Sequence, residues 1–171
     1  MILFQLSILM ALVVDIGLGL LVYGTNTRRA SNRGFLILSI IIGVWLVCLG
    51  FGSMSINTRH AEAWIRISSI TAALIPTGLN ILRWSIIRQK ATWREILDGS
   101  RNWFLVYLPL AAMCLTGFFL KYVVIPGPDS VPKPIYGHGF LVYSSYLVAS
   151  TIILVAEFFR NVRGANGVQR I

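Results

Sequence analysis

Long apolar runs separated by short polar segments make up most of this chain. A helix that crosses the hydrocarbon core of a bilayer needs about 20 mostly apolar residues, and five of the runs reach that length. They lie near residues 2–23, 35–54, 63–87, 103–124 and 136–159. The pattern therefore predicts an all-α protein, an integral membrane bundle of five transmembrane helices that forms a single domain over residues 1–171.

The first apolar run has the length of a secretory signal but lacks its other marks. Residues 1–5 contain no basic residue, and no small-residue cleavage site follows the run. A signal peptide normally has both features. We therefore expect residues 2–23 to be a retained span.

The two longest polar segments between the runs differ in character. Thr92-Trp93-Arg94-Glu95 has the spacing of a capping box, which marks the start of a helix. Residues 92–99 therefore form either a short interfacial helix on the membrane surface or an ordinary polar loop, and both interpretations stay open. The proline-rich stretch at residues 126–134 is expected to be a stiff extended connector.

Composition agrees with a membrane setting. Charged residues make up 12% of the sequence and hydrophobic residues 56%, whereas charged residues are about 25% of an average soluble domain. The mean hydropathy is +0.75. After five spans and their loops, little chain remains for a separate water-soluble domain, and no soluble substrate is indicated.

Basic residues are distributed unevenly between alternate polar segments. Eleven lie in or beside the first, third and last segments, and four lie on the opposite side. The eleven are Arg28, Arg29, Arg33, Arg83, Arg88, Lys90, Arg94, Arg101, Arg160, Arg163 and Arg170. The four are Arg59, Arg66, Lys121 and Lys133. Because cytoplasmic loops retain an excess of Lys and Arg, we expect the N-terminus outside and the C-terminus in the cytoplasm.

The formal net charge of +9 is therefore mainly a topology signal. Nucleic-acid binding, the competing explanation, would require basic residues on one face of a folded soluble domain. We expect no nucleic-acid partner. The setting that we expect is a multi-pass protein of the bacterial inner (cytoplasmic) membrane.

Candidate chemistry is sparse. The sequence offers no nucleophile with a base, no paired carboxylates and no cluster of metal-binding residues, so we expect no enzymatic activity. His60 and His138 are both predicted near the outer face. His138 is a candidate ligand for a metal or for a chlorin pigment, because Gly137 and Gly139 would let a cofactor approach. The interpretation that we favour is a lone interfacial histidine bound to water, headgroups or backbone.

One acidic residue lies near the middle of a predicted span. Asp15 would cost several kcal/mol as an isolated charge at that depth. Asn80 on the third span is predicted at a comparable depth, and Arg83 lies about one turn further along. We expect Asp15, Asn80 and Arg83 to form an intramembrane polar cluster, either as an interhelical clasp or as a proton- or ligand-sensitive switch.

Small residues recur four positions apart in several spans. Such pairs let the backbones of transmembrane helices approach closely. The pairs are Ser39 with Gly43, Ser68 with Ala72, Ser69 with Ala73, and Ser145 with Ala149. They predict helix contacts, either within the chain or with partner subunits.

The first three spans and the tail also carry a pattern of less common residues. It consists of Gly19, Asn26, Asn32, Phe35, Trp45, Trp64-Ile65-Arg66, Pro76 and the basic tail Arg160 to Arg170. The pattern resembles the N-terminal seven-transmembrane sensor region of bacterial histidine kinases, best over spans one to three. The resemblance implies a membrane module that feeds a cytoplasmic kinase. This chain has about five spans and departs from the pattern at Asp15.

The 171 residues are expected to contain no phosphoacceptor region and no ATP-binding domain. Two functional hypotheses follow. In the first, the chain is a non-catalytic accessory subunit of a larger bacterial membrane complex, for instance a photosynthetic or respiratory one, derived from a sensor-type module. In the second, it is a sensor that binds a small or lipophilic ligand and signals through a separate partner. Expected partners are other integral membrane subunits and lipids, and candidate cofactors are lipid, carotenoid, quinone or chlorin.

Overall fold

The computed structural model describes residues 2–88, 92–127 and 130–168, with side chains from residue 3 to residue 161 within these ranges. The described residues are mostly helical. The helices are α1 (Ile2–Thr25), α2 (Ala30–Met54), α3 (Thr58–Ile87), α4 (Trp93–Gly99), α5 (Arg101–Cys114) and α6 (Gly139–Val168). The strands are β1 (Leu120–Val124) and β2 (Lys133–Tyr136). Lys90, Pro128, Asp129 and Arg170, which entered the sequence predictions, lie outside the described residues, as does the side chain of Arg163.

Within the described ranges, four helices are long and apolar enough to cross a membrane. They are Leu3–Thr25, Ala30–Met54, Thr58–Ile87 and Gly139–Asn161. The molecule is therefore a helical, multi-pass membrane protein. Two of the four helices begin before their apolar runs, because polar residues such as Arg33 and Glu62 continue the helix beyond the apolar stretch.

The fourth apolar run does not form the continuous helix predicted over residues 103–124. Helix α5 has 14 residues and is about 21 Å long at the usual helical rise, less than the hydrocarbon thickness of about 30 Å. The chain then turns and continues as β1. Hydropathy alone missed this change, because a buried apolar strand is as hydrophobic as a helix.

The two strands form an antiparallel hairpin, which also corrects the predicted start of the last span. Tyr122 pairs with Ile135 and Val124 with Lys133, and an irregularity in register lies beside Lys121. Residues 133–136 therefore belong to β2, and α6 begins at Gly139. The last two residues of the proline-rich connector, Lys133 and Pro134, thus belong to a strand.

Helix α3 occupies the centre of the molecule, in contact with α2, α4, α5, α6 and β1. Small buried residues on α3, including Ala61, Ala73 and Thr77, allow these neighbours to approach. Helix α2 packs between α1 and α3. The main apolar cluster surrounds Phe119, which is fully buried against Tyr136 and Tyr143.

Helix α4 has the capping box that the sequence predicts. The Glu95 backbone N–H donates to Thr92 Oγ1 at 3.4 Å, and the Thr92 N–H donates to Glu95 Oε2 at 3.2 Å. Ile96 is fully buried in a small cluster with Ala30 and Ile81. Helix α4 therefore packs against α3 and the first residue of α2, at the basic end of the bundle. Its position at a membrane surface stays a prediction.

Candidate functional site: the polar cluster at the basic end

A polar cluster joins three parts of the chain at the basic end of the bundle. It consists of Asn80 and Arg83 on α3, Ser100 between α4 and α5, and Glu157 on α6, and we refer to it as the Arg83 cluster. Residues 80 and 83 are three apart on a helix and so share one face. The cluster lies where α3 meets both α6 and the α4–α5 junction.

Asn80 links α3 to the α4–α5 junction. Both Asn80 and Ser100 are fully buried, and the Asn80 Nδ2 donates to Ser100 Oγ at 3.0 Å. Ser100 in turn donates to the Ile96 carbonyl at 3.1 Å. A buried amide that lacked partners would cost about 1–3 kcal/mol, so these bonds specify how the junction sits against α3.

Arg83 links α3 to α6. Its Nη1 forms an ion pair with Glu157 Oε2, and its Nη2 donates to Asn80 Oδ1 at 2.8 Å. The two charged side chains are 11% and 29% exposed, so the pair is largely shielded from solvent. Charges that lie in a membrane bundle are stable when they are paired in this way.

A cavity lies beside the Arg83 cluster, and an apolar groove continues from it. The cavity has a volume of about 300 Å³ and is lined by Arg83, Trp84, Ile87, Arg88, Glu157, Arg160 and Asn161. The groove has a volume of about 470 Å³ and is lined by Leu79, Leu82, Arg83, Ile86, Thr151, Leu154, Val155, Phe158 and Phe159. Arg83 lines both, so the two spaces meet at its side chain.

Asp15 does not join this cluster, contrary to the expectation from its depth in the first span. Its carboxyl group lies beside Ser39 on α2. The Asp15 Oδ2 is buried and has no hydrogen-bond partner among the described residues. Helix α1 packs on α2, which leaves α3, and with it Asn80 and Arg83, on the far side of α2. Of the three predicted residues, the structure brings together Asn80 and Arg83.

A second polar cluster, around Arg66, lies at the opposite end of α3. Arg66 forms an ion pair with Glu62 at 2.6 Å. Its guanidinium group also donates to the carbonyls of Cys114, Thr116 and Leu120 at 3.0, 2.6 and 2.8 Å. These carbonyls belong to the last residue of α5, the turn that follows it and the first residue of β1. Arg66 therefore satisfies backbone groups in the segment where the fourth apolar run stops being helical.

His138 lies in the turn between β2 and α6, where its side chain is exposed. The flanking glycines serve that turn, since the backbone N–H of Gly137 donates to the Phe119 carbonyl and that of Gly139 to the Phe118 carbonyl. A Cβ atom at Gly139 would lie 2.6 Å from the Phe118 ring. Close packing on Phe118 thus accounts for both glycines without a cofactor. A ligand role for His138 stays a prediction.

Three of the four small-residue pairs lie within the bundle, and the fourth lies on its surface. Ser39 and Gly43 lie at the α1–α2 contact, because a Cβ atom at Gly19 would meet Ser39 and one at Gly43 would meet Ile16. The next two pairs lie on α3, where Ser68, Ser69 and Ala73 are buried and Ala72 is half-buried. Ser145 and Ala149 are instead exposed on α6.

Sequence reasoning missed several of the residues that build these clusters. Glu157 was available as a signal, because it is an acidic residue within an apolar run. Asn32 was noted only for its place in the resemblance, yet its Nδ2 donates to the carbonyls of Val22 and Asn26 and closes the α1–α2 turn. The role of Arg66 at the turn from α5 into β1 had no local signal, since the carbonyls that it binds lie about fifty residues away in the chain.

The fold and the two polar clusters define the class of protein, a multi-pass helical membrane protein organised around α3. Comparison of the chain with protein-family models, with curated proteins and with solved structures finds no match.

Proposed function

We propose that this chain is a non-catalytic accessory subunit of a larger membrane protein complex in the bacterial inner membrane. The observation that carries the proposal is the exposed pair Ser145 and Ala149 on α6. Small residues let a second helix approach closely, and they offer lipid chains less contact than large apolar residues do. A partner helix is therefore a better neighbour for this face than lipid.

Helix α1 supports the same proposal. It packs on α2, and 11% of the residues in its most apolar stretch are buried against the rest of the described chain. Its outer face carries large exposed side chains, among them Leu6, Met10 and Val13. This surface is available to lipids and to neighbouring subunits, while Arg66 and Arg83 of α3 are engaged in contacts within the bundle.

We further propose that the chain crosses the membrane five times, with the N-terminus outside. Helix α5 and residues 115–124 would together make the fourth crossing. Non-helical backbone is tolerated at membrane depth where protein covers it, and Phe119 and Leu120 are fully buried while Arg66 binds the turn carbonyls. The basic ends of α1, α3 and α6 then all lie in the cytoplasm, in line with the distribution of Lys and Arg.

The accessory role is tested by purification of the tagged chain in mild detergent, with mass spectrometry of the proteins that accompany it. We expect the double variant Ser145→Leu/Ala149→Leu to remain folded but to lose its partners. Leu108→Phe, an exposed enlargement on α5, is the control and should keep them. A wild-type chain that runs alone, or a double variant that keeps all its partners, would contradict the proposal. An absorption spectrum of the same preparation tests for carotenoid or chlorin.

A sensor role is the second candidate, and the cavity beside the Arg83 cluster favours it. Pro76 lies within α3 and, because it has no backbone N–H, removes one backbone hydrogen bond of that helix, so α3 has a point at which its two halves could bend. A ligand in the cavity would contact α3 and α6 together. A colourless chain that purifies alone and binds a small ligand would favour this role over the accessory one.

A further inference from the structure

We propose that the groove and cavity between α3 and α6 form a binding site for one anionic phospholipid. The acyl chains would occupy the apolar groove, and the headgroup phosphate would lie in the cavity beside Arg88 and Arg160. The proposal requires that the chain spans a membrane, but it is independent of the accessory role.

The shape and lining of the groove suit an acyl chain. Its α3 side runs from Leu79 to Ile86 and its α6 side from Thr151 to Phe159. These stretches extend about 11 and 12 Å along the helix axes. A groove that runs along the helices runs roughly parallel to lipid chains, and apart from Arg83 and Thr151 its lining is apolar.

The charge of the cavity calls for an anion. Three arginines and one glutamate line it, and Glu157 is already paired with Arg83. Within the described residues, Arg88 and Arg160 take part in no ion pair. The Arg88 guanidinium lies 4.4 Å from the ring centre of Trp84, which holds it at the cavity wall. The lining thus has a surplus of two positive charges.

A buried donor at the junction of the two spaces is a separate observation. The Arg83 Nε is buried and has no hydrogen-bond partner among the described residues, although both terminal nitrogens of the same guanidinium are engaged. Unsatisfied buried donors are rare in native proteins. With a small movement of the Arg83 side chain, an oxygen of a phosphate or glycerol ester could accept its hydrogen bond.

The position of the site favours an anionic lipid over a free anion as the ligand. The cavity suits a charged headgroup and the adjoining groove suits apolar chains, so a ligand that fills both must carry the two parts together. A free phosphate would leave the groove unfilled. Anionic lipids are attracted to basic residues on the cytoplasmic side of transmembrane helices. The cavity lies at the basic end of the bundle, where α3 and α6 emerge from the apolar region.

The test is native mass spectrometry of the full chain in mild detergent, titrated with phosphatidylglycerol or with phosphatidylcholine of the same acyl chains. We expect preferential retention of one phosphatidylglycerol. Arg88→Gln/Arg160→Gln should lower that affinity roughly 30-fold, equivalent to about 1 kcal/mol per arginine. The control Arg94→Gln/Arg101→Gln removes the same charge from exposed positions outside the cavity and should change affinity less than about 2-fold on the same scale.

A groove variant separates chain binding from headgroup binding. Val155→Phe should block the groove and weaken binding, whereas Ile153→Phe, at an exposed position on the opposite face of α6, should not. Equal retention of the two lipids, or equal losses in the two arginine pairs, would overturn the proposal. Competition by inorganic phosphate at concentrations comparable to those of the lipid would also overturn it, because the site would then be one for a soluble anion.

Discussion

Arg66 and Arg83 are two charged residues of helix α3. The guanidinium group of each one donates hydrogen bonds to oxygen atoms of the chain. Arg66 binds Glu62 and three backbone carbonyls, and Arg83 binds Asn80 and Glu157. An isolated charge in hydrocarbon is expensive, whereas a paired and hydrogen-bonded one is tolerated. At the scale of single residues, these side chains therefore position the segments that pack on α3.

Removal of the Glu157 charge tests this role of the Arg83 cluster. Glu157→Gln leaves the Arg83 charge shielded and unpaired, and we expect a loss of about 3 kcal/mol in the free energy of unfolding. Thermal unfolding in detergent measures it. Arg83→Met/Glu157→Leu removes both charges and should recover much of the loss, and Asp98→Asn on exposed α4 should have no effect. A double variant less stable than the single one would contradict this account.

Asp15 lies against Ser39 in the α1–α2 contact, so a polar side chain at position 15 should be sufficient there. We expect Asp15→Asn to assemble like the wild type, because an amide of the same size can still bond with the Ser39 hydroxyl. Asp15→Leu should lower the yield of assembled protein, measured by size-exclusion chromatography. Equal yields from both variants would show that the residue has no part in this contact.

At the scale of elements, the α1–α2 contact depends on close approach at Gly19. A Cβ atom there would lie 2.7 Å from the Ser39 Cβ, whereas one at Gly17 would have nothing within 4 Å. We therefore expect Gly19→Ala to destabilise the protein by about 1–3 kcal/mol through overpacking. Gly17→Ala is the matched control and should be neutral or slightly stabilising. The same thermal unfolding assay distinguishes them, and equal melting temperatures would contradict the packing shown here.

The turn from α5 into β1 is held by Arg66, and Cys114 beside it reports on that turn. The Cys114 side chain is fully buried, and its carbonyl accepts from Arg66. We expect Arg66→Gln to loosen the turn and to make the Cys114 thiol reactive toward a maleimide within minutes. Labelling should stay slow in Arg59→Gln, which removes an exposed charge at the same end of α3. Slow labelling of both variants would mean that the turn holds without Arg66.

Sequence could predict the long helices but not the break in the fourth apolar run. The apolar runs predict the first three spans and the last to within five residues of the four helices of membrane length, because long apolar runs are a strong signal. The run 103–124 is predominantly apolar on both sides of the point where α5 ends. Its division into α5 and β1 follows from contacts with Arg66 and Tyr136, which lie far away in sequence.

The Arg83 cluster shows a similar limit. Spacing along α3 was enough to associate Asn80 with Arg83, because residues three apart share a helix face. Asp15 was assigned to the same cluster from depth alone, but depth says nothing about which helices are neighbours. Ser100 and Glu157 reach the cluster through the packing of α4, α5 and α6 on α3, which no local pattern encodes.

For the molecule as a whole, the central claim is a bundle that crosses a membrane with its basic end in the cytoplasm. Cysteines introduced singly at Thr27, Ile56, Arg94 and Val131, in a chain without Cys48 and Cys114, report the side on which each loop lies. We predict that an impermeant maleimide added to intact cells labels Ile56→Cys and Val131→Cys, and that Thr27→Cys and Arg94→Cys react only after lysis. Labelling of Ile56→Cys and Val131→Cys from opposite sides, or of all four from one side, would contradict the account.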